Sequence, residues 1–107
     1  MSDEKMDVII VGGGISGLTA GYLLAKKGLD VLLIERGNYC GSKNVTGGRL
    51  YTYALELVEP GLYKEAALER KVVREQIMLL SDKTGVTIDY YDEKADDDIP
   101  QSFTVLR

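Results

Sequence analysis

The first apolar run of the chain does not alternate. Val8, Ile9, Ile10 and Val11 are all apolar, as expected of a parallel strand covered on both faces. Glycines interrupt the run, and it resumes as "ISGLTAGYLLAKKG", where Ile15, Leu18, Tyr22 and Ala25 recur at helical spacing. The small residues Gly17, Ala20 and Gly21 would let this helix approach a sheet closely. Lys26 and Lys27 make a basic last turn and Gly28 lies just past it, which predicts the stop. A second unbroken run, "DVLLIE", predicts a strand that ends at Glu35. Strand, helix and strand together predict a βαβ unit.

The pattern changes after residue 50. "YTYALELVEPGLYKEAALERK" predicts a helix, a turn at Pro60-Gly61, and a short helix through Ala66 to Glu69. Three strand-like runs come next: "VVREQIMLLS", "VTIDYYD" and "SFTVLR". In the middle run Val86, Ile88 and Tyr90 alternate with Thr87, Asp89 and Tyr91, so one face is expected to be buried. "DKTG" at 82–85 can turn the first run into the second, and the acidic stretch 92–101 joins the second to the third as a solvated hairpin tip. The order is thus a βαβ unit, helices, and an antiparallel meander. Asp96, Asp97 and Asp98 are adjacent but lack the alternating ligands, glycine and closing glutamate of a calcium loop.

The glycines between the first strand and helix carry the chemistry. Gly12, Gly14 and Gly17 form G-x-G-x-x-G. Gly12 permits the tight turn, Gly14 lets a pyrophosphate reach the backbone, and Gly17 lets the helix lie against the strand. The free N–H groups at the helix start (Ile15, Ser16 and Gly17) would face phosphate, where the helix dipole favours negative charge. Seventeen residues separate Gly17 from Glu35. This spacing sets a carboxylate at the tip of the second strand, able to accept ribose hydroxyls and to repel a 2′-phosphate, which argues against NADP.

Composition removes several other readings. The formal charge is −4, from 13 basic and 17 acidic residues, so no nucleic-acid surface is expected. The chain has no histidine, which excludes a histidine-based triad or metal site. Cys40 is the single cysteine, so no internal disulfide can form and a reducing, cytoplasmic compartment is expected. A lone thiol also cannot form the redox-active pair of a flavin disulfide reductase. No apolar run approaches the roughly 20 residues of a membrane span, and "MSDEKMD" has no signal-peptide core.

Residues 6–37, with "ERG" at 35–37, resemble the FAD-binding start of the glutathione-reductase-like flavoproteins. The segment "CGSKNVTGGRLY" (40–51) resembles the loop after the ribose-binding strand in FixC-type flavoproteins, members of the electron-transfer-flavoprotein:quinone oxidoreductase family. "PGLY", "ERKVVREQIMLL", "VTIDYY" and "SFTVLR" extend the resemblance collinearly along nearly the whole chain. It implies FAD as cofactor, with Glu35, Arg36, Gly47, Gly48 and Arg107 joining the glycine motif as cofactor-binding positions. For Lys43 and Arg49 two roles stay open, facing phosphate or flavin, or serving as surface cations.

The resemblance also implies a FAD-dependent oxidoreductase taking electrons from an electron-transfer flavoprotein towards quinone, with a ferredoxin-like iron–sulfur partner. Peripheral membrane attachment is implied for a longer form. The expected organisation is an α/β chain. Residues 1–50 form a FAD-binding βαβ unit with its flavin loop, and residues 51–107 begin a substrate domain. Only the first parallel strands of a Rossmann-like domain are present, so the chain reads as an N-terminal fragment with a poorly covered sheet. Three alternatives stand beside this: a truncated, non-catalytic adenine-dinucleotide-binding module, a prenyl reductase or hydroxylase on the same flavin fold, and an NAD-dependent dehydrogenase domain. The last fits the βαβ unit but not the helices and meander after it.

Overall fold

The computed structural model describes residues 4–106. The chain divides into two compact units, residues 1–45 and 46–107.

In the first unit β1 (Val8–Val11) pairs in parallel with β2 (Val31–Ile34), in the register Val8 to Val31 through Val11 to Ile34. Between them runs α1 (Ile15–Lys26). It ends as its sequence predicts: Gly28 takes a φ of 85°, its N–H reaches the Ala25 carbonyl, and the Leu29 N–H reaches the Leu24 carbonyl. This glycine-terminated pair of hydrogen bonds satisfies carbonyls that the helix end would leave open.

The helix covers one face of the two strands. A methyl group added at Gly21 would meet Ile10, Leu33 and Val31 at 3.5–4.0 Å, ordinary packing distance. Ile9, Val11, Leu32 and Ile34 point the other way and are exposed, Val11 at 83%. The expectation of strands covered on both faces therefore holds on one face only. Strand side chains alternate, and one helix reaches only one set of them.

The second unit is built from antiparallel pairs. β3 (Gly47–Tyr51) pairs with β6 (Ser102–Leu106), and β4 (Arg74–Leu80) pairs with β5 (Gly85–Tyr91). α2 (Thr52–Val58) follows β3, and Gly61 then takes a φ of 83° before a single 3-10 turn, Leu62–Lys64. The short helix expected through Ala66 to Glu69 does not form. That stretch is irregular, with Leu68 N–H closing a tight turn on the Ala66 carbonyl. From Glu69 onward the backbone bonds to β6: Glu69 N–H to Thr104 C=O, Thr104 N–H to Arg70 C=O, and Val72 N–H to Ser102 C=O. Backbone groups taken by a sheet edge cannot also close helical bonds.

The expected turn at 82–85 does join β4 to β5, closed by Ser81 N–H to Thr84 C=O at 2.8 Å. The third run, however, leaves this hairpin and pairs with β3, so the strands do not form a three-stranded meander. The acidic stretch explains the departure. It is not a plain hairpin tip, because Asp92 caps a 3-10 turn (Glu93–Asp96), accepting from Lys94 N–H at 2.9 Å and Gln101 Nε2 at 3.0 Å. Ala95 of that turn is buried. The Thr52 N–H then bonds the Gln101 carbonyl, which delivers the chain to β3 rather than to β5.

Arg49 ties this unit together. Its Nε donates to the buried Ser102 Oγ at 2.7 Å, its guanidinium pairs with Glu75, and it lies over the Tyr51 ring at 4.6 Å. Of the two roles open to Arg49, the structure shows a cation engaged within its own unit. Among the described residues, no helix is long and apolar enough to cross a membrane.

Candidate dinucleotide site

The turn from β1 into α1 is held by crowding. Gly12 has a φ of 109°, a left-handed conformation that side chains resist, and its N–H bonds the Ile34 carbonyl at 2.7 Å. A methyl group on Gly17 would fall 1.9 Å from the Gly12 carbonyl oxygen and 3.3 Å from Ile10. Only glycine allows this helix–strand approach. At Gly14 a methyl group would meet nothing within 4 Å, so that position faces open space.

Gly14 is the N-cap of α1, and no side chain caps the helix. The first helical bond runs from Leu18 N–H to Gly14 C=O, so the N–H groups of Ile15, Ser16 and Gly17 precede the helical ladder. They are donors available to an anion, aided by the helix dipole.

Val11, Gly12, Gly14, Ile34, Glu35, Arg36 and Lys43 line one open cleft of about 510 Å³. That size suits a small-molecule site. Glu35 accepts hydrogen bonds from Gly13 N–H at 2.7 Å through Oε2 and from Gly37 N–H at 2.5 Å through Oε1. The Gly37 bond most, then the Gly13 bond, hold its carboxyl below the ordinary value of 4.5; partial burial opposes this and the Lys43 charge assists it. The carboxylate is thus ionised at neutral pH and keeps lone pairs for further donors.

Of the positions expected to bind cofactor, Gly12, Gly14, Ile15, Ser16, Gly17, Glu35 and Arg36 all lie in the first unit. Gly47 and Gly48 lie in the second, in β3 rather than in a loop, opposite Leu106 and Val105. Arg107 lies outside the described residues. Lys43, whose role the sequence leaves open, lines the cleft.

Sequence reasoning missed Gly13. It occupies a variable position of the motif, yet a methyl group there would sit 2.6 Å from Cys40 Sγ and 3.2 Å from Glu35 Oε2. Gly37 is crowded in the same way, with Ser42 Oγ at 2.2 Å from an added methyl group. The available signal was the unbroken glycine triplet at 12–14, one glycine more than the fingerprint needs.

The family model described as FAD dependent oxidoreductase matches residues 7–104. "Probable electron transfer flavoprotein-quinone oxidoreductase YdiS" of Escherichia coli (strain K12) is 50% identical over 109 aligned positions, covering all of this chain and 25% of that protein. "Protein FixC" of Escherichia coli O157:H7 is 43% identical, and "Protein FixC" of Azorhizobium caulinodans 42%, each over all of this chain and 25% of the relative. The chain thus spans about a quarter of the length of these curated relatives.

Proposed function

We propose, from the premise that this chain belongs to the FAD dependent oxidoreductase family, that its first unit binds the adenosine diphosphate half of FAD. The observation that carries this reading is the joint exposure of Gly14, Glu35, Arg36 and Lys43 to one cleft beside the helix N-terminus. The residues fit the group. Open space at Gly14 leaves room for a pyrophosphate, and the N–H groups of Ile15, Ser16 and Gly17 donate to it. Glu35 accepts the ribose hydroxyls through its remaining lone pairs, and Arg36 and Lys43 offset phosphate charge. Bound FAD would supply the redox chemistry.

Gly47 and Gly48 serve as cofactor-lining positions in this reading. Neither has a positive φ, and added methyl groups would meet Leu106 at an ordinary 3.7 Å or nothing at all. Packing within their own unit does not call for glycine, which supports a role towards something outside it. Arg107 is carried as a cofactor-binding position on the family resemblance.

The activity belongs to the same proposal: electrons pass from an electron-transfer flavoprotein through FAD towards quinone. The name of YdiS and its 50% identity support this over a prenyl reductase or hydroxylase. A ferredoxin-like iron–sulfur partner rests on resemblance to the FixC branch. Two measurements test the reading. Calorimetric titration of the chain with ADP is expected to show binding that FAD competes away and a 2′-phosphate weakens; absence of ADP binding would overturn the site. Quinone reduction by reduced electron-transfer flavoprotein, catalysed by the FAD-loaded protein, is expected; FAD loading without that turnover would overturn the activity.

A further inference from the structure

The Glu35 carboxylate bridges two turns far apart in sequence. Gly13 belongs to the glycine turn after β1 and Gly37 to the turn after β2, and each donates its N–H to a different oxygen of this one side chain. Both glycines are closed over by the next stretch of chain, Gly13 by Cys40 and Gly37 by Ser42. A larger residue at either position would collide with that cover, so both turns keep glycine where their amides meet Glu35. The bond to Gly13 spans 22 residues and fixes the stretch between Gly12, whose backbone is left-handed, and Gly14, which faces the cleft.

We infer that Glu35 is a positioning residue for the phosphate turn: in the ligand-free protein its carboxylate clamps the Gly13 and Gly37 amides and so presets the loop that receives a diphosphate. The inference rests on the adenosine diphosphate reading for what the loop receives, and adds a role for Glu35 beyond any contact with ribose. A preset loop needs no ordering when ligand arrives, which preserves affinity. The charged groups around the carboxylate are Arg36, next in the chain, and Lys43 across the cleft, with the Cys40 thiol lying on Gly13.

The test uses the 107-residue chain without ligand, followed by amide hydrogen exchange in 1H–15N spectra, then titrated with inorganic pyrophosphate. Pyrophosphate can meet the glycine turn but has no ribose. The Gly13 and Gly37 amides are expected to be protected, and Glu35→Gln to speed exchange of at least one by about tenfold, the order for losing a hydrogen bond to a charged group. Strand amides from Ile9 to Val11 should stay unchanged as the fold control. Glu35→Gln should also weaken pyrophosphate binding. Charge alone predicts the reverse, because the substitution removes a negative group from an anion site. Unprotected glycine amides in the unsubstituted chain, or pyrophosphate held as tightly by Glu35→Gln, would overturn the clamp.

Should the variant unfold, the unsubstituted chain decides alone. The Gly13 and Gly37 amide shifts must titrate together with one midpoint, and separate midpoints would overturn the proposal. The two readings fail separately. Protected amides with no binding of pyrophosphate or ADP keep the clamp and remove the nucleotide site, whereas ADP binding with unprotected amides does the opposite.

Discussion

A methyl group added at Gly17 would sit 1.9 Å from the Gly12 carbonyl oxygen, whereas one added at Gly48 would meet nothing within 4 Å. The first glycine belongs to a turn where backbone meets backbone, the second to an exposed strand. Each lies in a stretch that the family resemblance marks for cofactor, but physics separates them. Gly17 is required by the fold of its own unit, with or without ligand. Gly48 is required by nothing within its unit, so its reason must lie in a ligand or in chance.

The largest expected effect breaks the first half of that contrast. Gly17→Ala forces α1 away from β1 and should destabilise the first unit by about 3 kcal/mol or more, in the upper range of overpacking costs. Loss of the Val8–Val11 amide signals, with those of β4 and β5 intact, would register it. If instead the chain tolerates alanine there, the contact between Gly17 and Gly12 does not define the turn.

Next comes Gly14→Ala, which separates fold from ligand within the same motif. Its φ of −79° and ψ of −172° suit alanine, and the added methyl group has open space. Stability should change by at most about 1 kcal/mol, the difference between glycine and alanine at an N-cap. ADP affinity should fall by roughly tenfold or more, because the methyl group occupies room the phosphate needs. Gly48→Ala sharpens the other side. The free chain should gain about 0.5–1 kcal/mol against urea, since glycine weakens a strand interior, while FAD affinity of the loaded protein falls. A gain in stability with unchanged FAD affinity would leave Gly48 without a cofactor role.

These contrasts show why the βαβ unit was legible and the second unit was less so. The glycine turn, α1 and its Gly28 stop are written in residues a few positions apart, and local spacing carries them. The β4–β5 hairpin was legible for the same reason in its turn at 82–85, but not in its burial. Val86, Ile88 and Tyr90, expected on a buried face, are all exposed, because within this unit β5 pairs with β4 alone and among the described residues no other element covers that face. The pairing of β6 with β3 was not, because it depends on a capped turn at Asp92 and on Thr52 meeting Gln101, groups distant in sequence. Arg49 reads as a free cation until Ser102, 53 residues on, is brought to it. Gly13 stands at a position where the motif asks for nothing, and only the fold reveals Cys40 above it.

Two buried hydroxyls in the second unit carry the same contrast between required and idle groups. Ser102 Oγ accepts from Arg49, while Thr52 Oγ1 has no partner among the described residues. Thr52→Val keeps the shape and removes an unsatisfied group, so it should stabilise by about 1 kcal/mol. Ser102→Ala leaves the Arg49 Nε without its acceptor and should destabilise by about 1–3 kcal/mol. Equal losses in urea melts of both variants would mean that Thr52 has a partner after all.

The smallest effect compares how acid loosens the two units. Glu35 in the first unit is held below its ordinary value of 4.5 by the Gly37 and Gly13 amides. In the second, the Arg74 hydrogen bond holds Asp89, and the Lys94 N–H holds Asp92, below the ordinary 3.8. A carboxyl with a lowered folded value binds fewer protons when folded than when unfolded. Its contribution is therefore complete above the ordinary value and is lost as pH falls through the lowered one. The first unit should accordingly begin to weaken just below pH 4.5 and the second only below pH 3.8. All three groups are solvated, so each slope is shallow. Amide signals of β1 and of β5, followed separately through an acid titration, report the order. Glu35→Gln should flatten the first slope and leave the second alone, as Asp92→Asn should do in reverse. If both units instead weaken at one midpoint, these carboxylates are not what distinguishes them, and acid lability belongs to the chain as a whole.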